Sequence, residues 1–350
     1  MSFDFDFDLL CELTETRGVP GYEDRVRAIV RRELSERVDR VRSDAMGNVV
    51  GTIEGDSDYS VAVAAHMDEI GFMVRHVDED GFLQVDALGG FDPRVLRAQR
   101  VTVHGEEDLT GVIGSVPPHT LTDEQREADE EVSDVFIDLG RDAEAVDDLV
   151  GVGDLVTLEQ TTTRMGDRVT GKALDDRVCL FAMLAAADRI DDPAVTIHFA
   201  ATVQEEVGLR GAHALGVDID PDLAIALDVT VANDVPQIGE EADAVTRLGE
   251  GTAIKLKDAS VITSPKVHGR LTAVAETEGI DHQHEVLPAG GTDTAGFQTT
   301  HGAKPVGAIS IPTRYLHTVT ETADGDDIAA TIDLLTAFLE SETGDHDYTL

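Results

Sequence analysis

In its 350 residues the chain carries 70 Asp and Glu against 27 Lys and Arg, for a net charge of -43 and a pI near 4.3. Such a surface repels nucleic acid and anionic membranes, while a hydrophobic content of 41% supplies a real core and excludes a disordered chain. Lys occurs only at 172, 255, 257, 266 and 304, the other basic residues are Arg, and Trp is absent; this bias resembles proteins of extreme halophiles, in which salt screens the acids from one another.

The first residues, Met1 to Asp8, alternate acids with Phe where a secretion signal needs a basic start and an apolar run. The longest apolar run, Val178 to Ala187, is too short to span a bilayer, so a cytoplasmic protein is expected. Cys11 and Cys179 both fall in apolar helical patterns and offer no disulfide framework. After the turn Gly18-Val19-Pro20-Gly21, Val26, Ile29, Val30 and Leu34 recur at helical spacing and predict an amphipathic helix over 23 to 38. Strands are expected at 48 to 53 and 61 to 65. The second is apolar throughout, as in a strand covered on both faces, and it runs into His66.

From about 70 to 160 the texture changes to short strands broken by Gly and Pro, at 71 to 77, 81 to 87, 100 to 104, 109 to 116 and 151 to 159. A charge-dense loop is expected from Thr122 to Asp134. This block reads as a small β-barrel or sandwich, residues 70–160, inserted into an α/β domain made of residues 1–69 and 161–350. The α/β rhythm then resumes, with helices at 176 to 189, 208 to 215, 264 to 278 and 325 to 341 and strands at 194 to 203, 223 to 228 and 306 to 311. The fold class expected is therefore α/β, a doubly wound mixed sheet covered by helices.

Acids and imidazoles recur where the apolar strands end. His66 and Asp68 stand two apart, so an extended backbone sends both to one face, and Asp68 can orient a metal-binding His66. Asp175 and Asp176 precede an apolar helix that needs only one acidic cap, which leaves one carboxylate free to bridge two ions. Glu205 and Glu206 follow a buried strand, where adjacent carboxylates are costly without a compensating cation; one can bind metal while the other serves as general base. Asp228 and His317 complete a set that suits two divalent cations such as Zn²⁺ or Co²⁺. Each of these residues alone has a bland reading as a helix cap, a solvated acid or a core histidine. His76, His104, His198, His268, His282, His284 and His301 read as structural, and His119 and Asp293 as secondary site residues. Gly166 to Lys172 matches a P-loop up to Ala173, which lacks the hydroxyl that such a loop needs for Mg²⁺, so nucleotide binding is rejected.

Six motifs, AHMDEIG at 65 to 71, GKALDDR at 171 to 177, QEEVGLRGA at 204 to 212, LDVTVANDVP at 227 to 236, GGTD at 290 to 293 and RYLHT at 314 to 318, give the chain a resemblance to the TET-type dinuclear metallo-aminopeptidases, some of which carry an endoglucanase label. That resemblance implies that His66 and Asp228 hold one metal, that Glu206 and His317 hold the other, and that Asp175 bridges them. It further implies that Asp68 orients His66 and that Glu205 is the base. Also implied are a phosphorylase/hydrolase-like α/β domain with an inserted dimerisation domain, and dimers that build a tetrahedral dodecamer acting on short peptides. Two metals about 3.5–4 Å apart would share a hydroxide near neutral pH. Thr318 stands where the family more often has serine, and Thr294 to Phe297 vary the segment after GGTD, so side-chain preference stays open.

Two rival readings remain. A glycoside hydrolase of the endoglucanase type would also use paired carboxylates, but it needs a sugar-stacking platform that a chain without Trp and with 4% aromatics hardly provides. A non-catalytic scaffold of the same fold would not need Glu205.

Overall fold

The organising element of the computed structural model, which describes residues 3, 5–124, 131–236 and 244–350, is the buried strand that ends on His66. Numbered along the chain, the strands before the insertion are β1 Arg40–Ser43, β2 Val49–Ile53 and β3 Ser57–His66. Six short ones follow: β4 Gly71–Val77, β5 Leu83–Leu88, β6 Arg100–His104, β7 Asp108–Ile113, β8 Phe136–Asp138 and β9 Leu155–Leu158. The chain returns through β10 Thr163–Met165, β11 Arg168–Gly171, β12 Val195–Thr202, β13 Leu223–Val231, β14 Thr252–Lys257, β15 His282–Val286, β16 Val306–Arg314 and β17 Glu321–Asp324. The helices are α1 Phe7–Glu15, α2 Asp24–Ser35, α3 Ala143–Asp147, α4 Leu174–Ala187, α5 Arg210–Ile219, α6 Pro265–Glu278, α7 Asp293–Gln298 and α8 Gly325–Glu340.

The large sheet runs in the order β1-β2-β12-β3-β13-β16-β17-β11-β10, and β14 joins it through β16 and carries β15. Its centre, β12-β3-β13-β16, is parallel, and β1, β2, β17, β11 and β10 pair antiparallel around it. The sheet is thus mixed and doubly covered, as its apolar strands predict. Along β3, Val61, Val63 and Ala65 face the larger core with Phe181 and Leu184 of α4, while Ala62 and Ala64 face a second core with Leu215 and Phe297. Each fully buried Val or Leu contributes about 1.5–3 kcal/mol against the entropy of ordering it. With apolar partners on both faces, β3 has no polar position from Val61 to Ala65, and polarity returns only at His66.

β4-β5-β8-β7-β6-β9 close into a barrel with its own core of Phe72, Val74, Val85, Val101, Val103, Ile137 and Val156. Closure leaves no exposed strand edge. The expected strands at 109 to 116 and 151 to 159 are shorter, as β7 ends at Ile113 and β9 starts at Leu155, after Gly153 takes φ +102°. Within the expected loop from Thr122 to Asp134, residues 125–130 lie outside the described residues, and Val132–Asp134 forms a 3₁₀ turn. β14 has no counterpart among the expected strands. Its Lys255 is fully buried, with Glu285 at 2.7 Å and Asp258 at 3.3 Å.

Candidate metal centre

Parallel register brings the strand ends together. His66 pairs with Thr202 across β3 and β12, and Ala64 pairs with Ala226 across β3 and β13, so Asp228 stands level with His66. Both continue the Ala62–Ala64 face of the sheet. The remaining residues arrive on tight backbone bends: Ala173, Gln204, Tyr315 and His317 all take left-handed φ between 53° and 60°. Such φ values cost non-glycine residues free energy and persist only where the surroundings hold them. Here they flank Asp175, Glu205, Glu206 and His317.

The two oxygens of Asp175 face different imidazoles, with Oδ1 at 3.2 Å from His66 Nε2 and Oδ2 at 3.4 Å from His317 Nε2. Glu206 Oε1 lies 3.9 Å from His317 Nε2, and Glu205 Oε2 lies 3.9 Å from His66 Nε2. Ligand atoms of His66, Asp175, Asp176 and Asp228 all fall within 4.8 Å of one another, and so do those of Asp175, Glu206 and His317. Two candidate ligand groups therefore share Asp175.

The His66 ring is held differently from the expectation. Its Nδ1 meets the main-chain carbonyl of Asp68 at 3.0 Å, while the Asp68 carboxylate lies farther, at 3.6 Å. That carboxylate instead accepts the backbone N–H groups of Glu205 and Glu206, at 3.0 and 3.1 Å. Asp68 orients the ring through its backbone and the Glu205–Glu206 turn through its side chain.

The electrostatics of the cluster favour a cation. Burial pushes the Glu206 carboxyl up to about 8, with the Asp175 charge adding to it. Burial likewise lifts Asp228 and Glu205 well above the carboxylate range. Against the effect of burial, hydrogen bonds from His317 and His66 hold Asp175 below that range, and Asp175 in turn raises His317 to about 10. Without a cation the buried acids can be accommodated only by taking up protons. A donor set of carboxylates and imidazoles, with the buried Asp176 Oδ1 lacking any partner, fits divalent cations.

The sequence reading left the role of Asp176 open, took Asp293 and His119 as secondary site residues, and missed Glu321. Asp176 belongs to the His66 set and also accepts the His66 backbone N–H at 3.1 Å. Glu321 is buried and accepts the backbone N–H groups of Asp175 at 3.0 Å and His317 at 2.8 Å. Its one sequence signal is an acid four residues after His317 in an otherwise uncharged stretch. Asp293 is buried beneath the site, bonded by the Thr202 hydroxyl and pushed up to about 6 by burial. His119 is exposed on the turn Pro118–Thr120 and is not in either ligand set.

The barrel also reaches the centre. A Cβ added to Gly89, which takes φ +99°, would meet Ile70 at 2.5 Å and Glu206 Oε2 at 3.2 Å, and one added to Gly90 would meet His317 Nδ1 at 3.4 Å. The cavity over Asp175, Glu206 and His317 is narrow, about 10 Å³. It shares Leu158 and Lys172 with a larger one of about 550 Å³ between the barrel and the segment Glu15 to Arg17. Among the described residues no helix is long and apolar enough to cross a membrane.

The model of the M42 glutamyl aminopeptidases matches residues 47–334. The chain belongs to the M42 glutamyl aminopeptidase family. As an M42 chain it is a peptide hydrolase of the aminopeptidase class. It is 38% identical over 330 residues to a putative aminopeptidase of Acetivibrio thermocellus, covering 94% of this chain and 97% of the relative. It is 35% identical to the lysyl aminopeptidase of Pyrococcus furiosus, covering 96% and 97%. The TET1 peptidase of Pyrococcus horikoshii, described as assembling into a tetrahedron or a large octahedral shell, superposes with a TM-score of 0.86 at 32% identity, covering 96% of this M42 chain and 99% of the other. A Thermotoga maritima structure titled endoglucanase superposes with a TM-score of 0.78 at 29% identity, covering 95% and 96%.

Proposed function

We propose that this chain is a dinuclear, metal-dependent aminopeptidase that removes N-terminal residues from short peptides. The observation that carries the reading is the division of the Asp175 carboxylate between His66 and His317. A carboxylate with one oxygen toward each of two imidazoles is a bridging ligand in waiting. In this reading His66 and Asp228 hold one ion, with Asp176 close enough to share it, and Glu206 and His317 hold the other. When bound, such cations, of the Zn²⁺ or Co²⁺ class, supply Lewis acidity toward the scissile carbonyl and a water acidic enough to react near neutral pH.

Glu205 then takes the proton of the attacking water at its carboxylate and delivers it to the leaving amine. Its burial beside Asp228, Asp293 and Glu206 raises its proton affinity, which suits both halves of that task. Asp68 holds the backbone of Glu205 and Glu206 so that the two carboxylates diverge. The substrate α-amine, a cation, is favoured among these acids, and this selects exopeptidase action. The chain of Pyrococcus furiosus is named for lysine and the family for glutamate, so relatives do not fix the preferred residue.

The barrel over residues 70–160 is proposed as the dimerisation domain, and by analogy with the TET1 peptidase the dimers build a closed shell in a salt-rich cytoplasm. Peptides rather than folded proteins would reach its interior.

The test is hydrolysis of aminoacyl chromophores across a panel of side chains by metal-stripped protein, with Zn²⁺ or Co²⁺ titrated back in high salt. Activity should be absent without metal and return with it, and Asp175→Ala should abolish it and lower the metal content. Glucan hydrolysis that survives metal removal, with no free amino acid released from peptides, would instead support the paired-carboxylate glycosidase reading.

A further inference from the structure

Three histidines outside the metal centre meet at the free edge of the large sheet. Among the described residues β15 pairs with β14 alone. Along β15, His282 and His284 stand two residues apart and leave on one face, while Gln283 and the buried Glu285 leave on the other. The His284 ring centre lies 5.8 Å from that of His282 and 5.1 Å from that of His268 on α6. Two imidazoles on one tetrahedral ion, with metal–nitrogen bonds of about 2.0–2.1 Å, have ring centres about 5 Å apart. The observed spacings are close to those of a chelating set.

Hydrogen bonding supplies an independent reason. His268 Nε2 is buried and has no hydrogen-bond partner, which is costly for a ring nitrogen. His282 turns Nδ1 against the Ile280 carbonyl at 3.0 Å. That contact fixes the tautomer whose Nε2 keeps a free lone pair, as outer carbonyls do for metal-bound imidazoles. His284 is exposed, and its side chain has no hydrogen bond or ion pair among the described residues, so its ring is free to turn. Burial and the two neighbouring imidazoles hold His268 below its ordinary value, which keeps its ring neutral near pH 7.

We propose that His268, His282 and His284 bind one divalent transition-metal ion of the class that prefers imidazole, Zn²⁺, Ni²⁺ or Cu²⁺. The ion clips α6 to the edge strand β15. As the residues stand, their ring nitrogens do not all come within 4.8 Å of one another, so the proposed binding requires the exposed His284 side chain to rotate toward the other two. The all-imidazole donor set distinguishes this site from the carboxylate-rich centre and disfavours Mg²⁺ and Ca²⁺. Nothing in this inference depends on the catalytic assignment.

The test uses the untagged full chain, dialysed against buffered Zn²⁺ and assayed for zinc per chain. Wild-type protein should carry one ion more than His284→Ala, with equal aminopeptidase rates. His284→Cys, which restores a zinc ligand, should recover the ion. Because His284 is exposed, its replacement leaves the core intact, and His282→Ala gives a second reading of the same site. Equal zinc content in wild type and both alanine variants overturns the site, whatever the catalytic centre holds.

Discussion

The Asp68 carboxylate accepts the backbone N–H of Glu205 at 3.0 Å, so the residue that ends the first ligand segment also fixes the start of the second. Its other oxygen takes the Glu206 N–H at 3.1 Å. Asn at 68 keeps one acceptor and presents an amide N–H₂ to the other donor. Losing one such bond to a charged acceptor costs about 1.5–3 kcal/mol. Asp68→Asn is expected to lower kcat by roughly tenfold or more, with the metal content largely kept, as steady-state kinetics and elemental analysis on one preparation will show.

Glu205 is assigned to proton transfer and not to metal binding. Glu205→Gln should therefore lower kcat by about 10²–10⁴-fold, the usual contribution of a general base, while leaving the metal content unchanged. Wild-type turnover in this variant would move the base elsewhere.

Removing the metals should make stability depend on pH. Burial raises Glu206 to about 8, from 4.5 as an exposed carboxyl, and Asp175 raises His317 to about 10 against the effect of its burial. Each group binds its proton more tightly folded than unfolded, so its stabilising contribution is complete below its unfolded pKa and is lost as pH rises through its folded pKa. Metal-stripped protein is expected to melt at progressively lower temperature from pH 5 to pH 8, at constant salt. With metal restored, the cations replace the protons and the profile should flatten. A metal-stripped Tm that rises over this range would contradict the picture of unpaired buried acids.

Gly89 tests the link between barrel and centre. Its φ of +99° is strained for any residue with a side chain, and a Cβ there would press on Ile70 and on Glu206 Oε2. Gly89→Ala should cost about 1–3 kcal/mol of stability from the backbone alone and weaken metal binding at the Glu206–His317 pair. Metal-titrated activity, read beside a melting curve, separates the two effects.

The net charge of -43 sets the last expectation. Screening lengths fall from about 10 Å at 0.1 M salt to about 3 Å at 1 M. In dilute buffer, acids facing each other across subunit contacts repel, and sedimentation should show a smaller particle with lower activity than in molar KCl. Unchanged mass and full activity in dilute buffer would refute the halophilic reading.

Legibility followed physical type. β3 could be read because Val61 to Ala65 are apolar on both faces, and the end of an apolar run marks where polar chemistry can begin. Lys255 hid β14 because sequence gives no sign that Glu285 and Asp258 will meet a lysine in the core. Glu321 was overlooked for a similar reason: beyond its spacing from His317, its partners are main-chain N–H groups of Asp175 and His317, which carry no sequence signature. Asp68 was half legible. Its place near His66 follows from spacing alone, but its side chain is committed to a turn 137 residues away.

By itself, then, the sequence determined which side chains stand at the strand ends, because alternation and burial are local properties of a chain. It determined the inserted β segment as well, from the change in strand length and turn residues. Only the tertiary structure decided how the candidate ligands divide. Parallel register sets His66 level with Asp228, and left-handed bends at Ala173, Gln204 and His317 accompany the remaining candidate ligands. One carboxylate, Asp175, is thereby left between two imidazoles. Such distances depend on packing between segments far apart in the chain, and no local pattern encodes them.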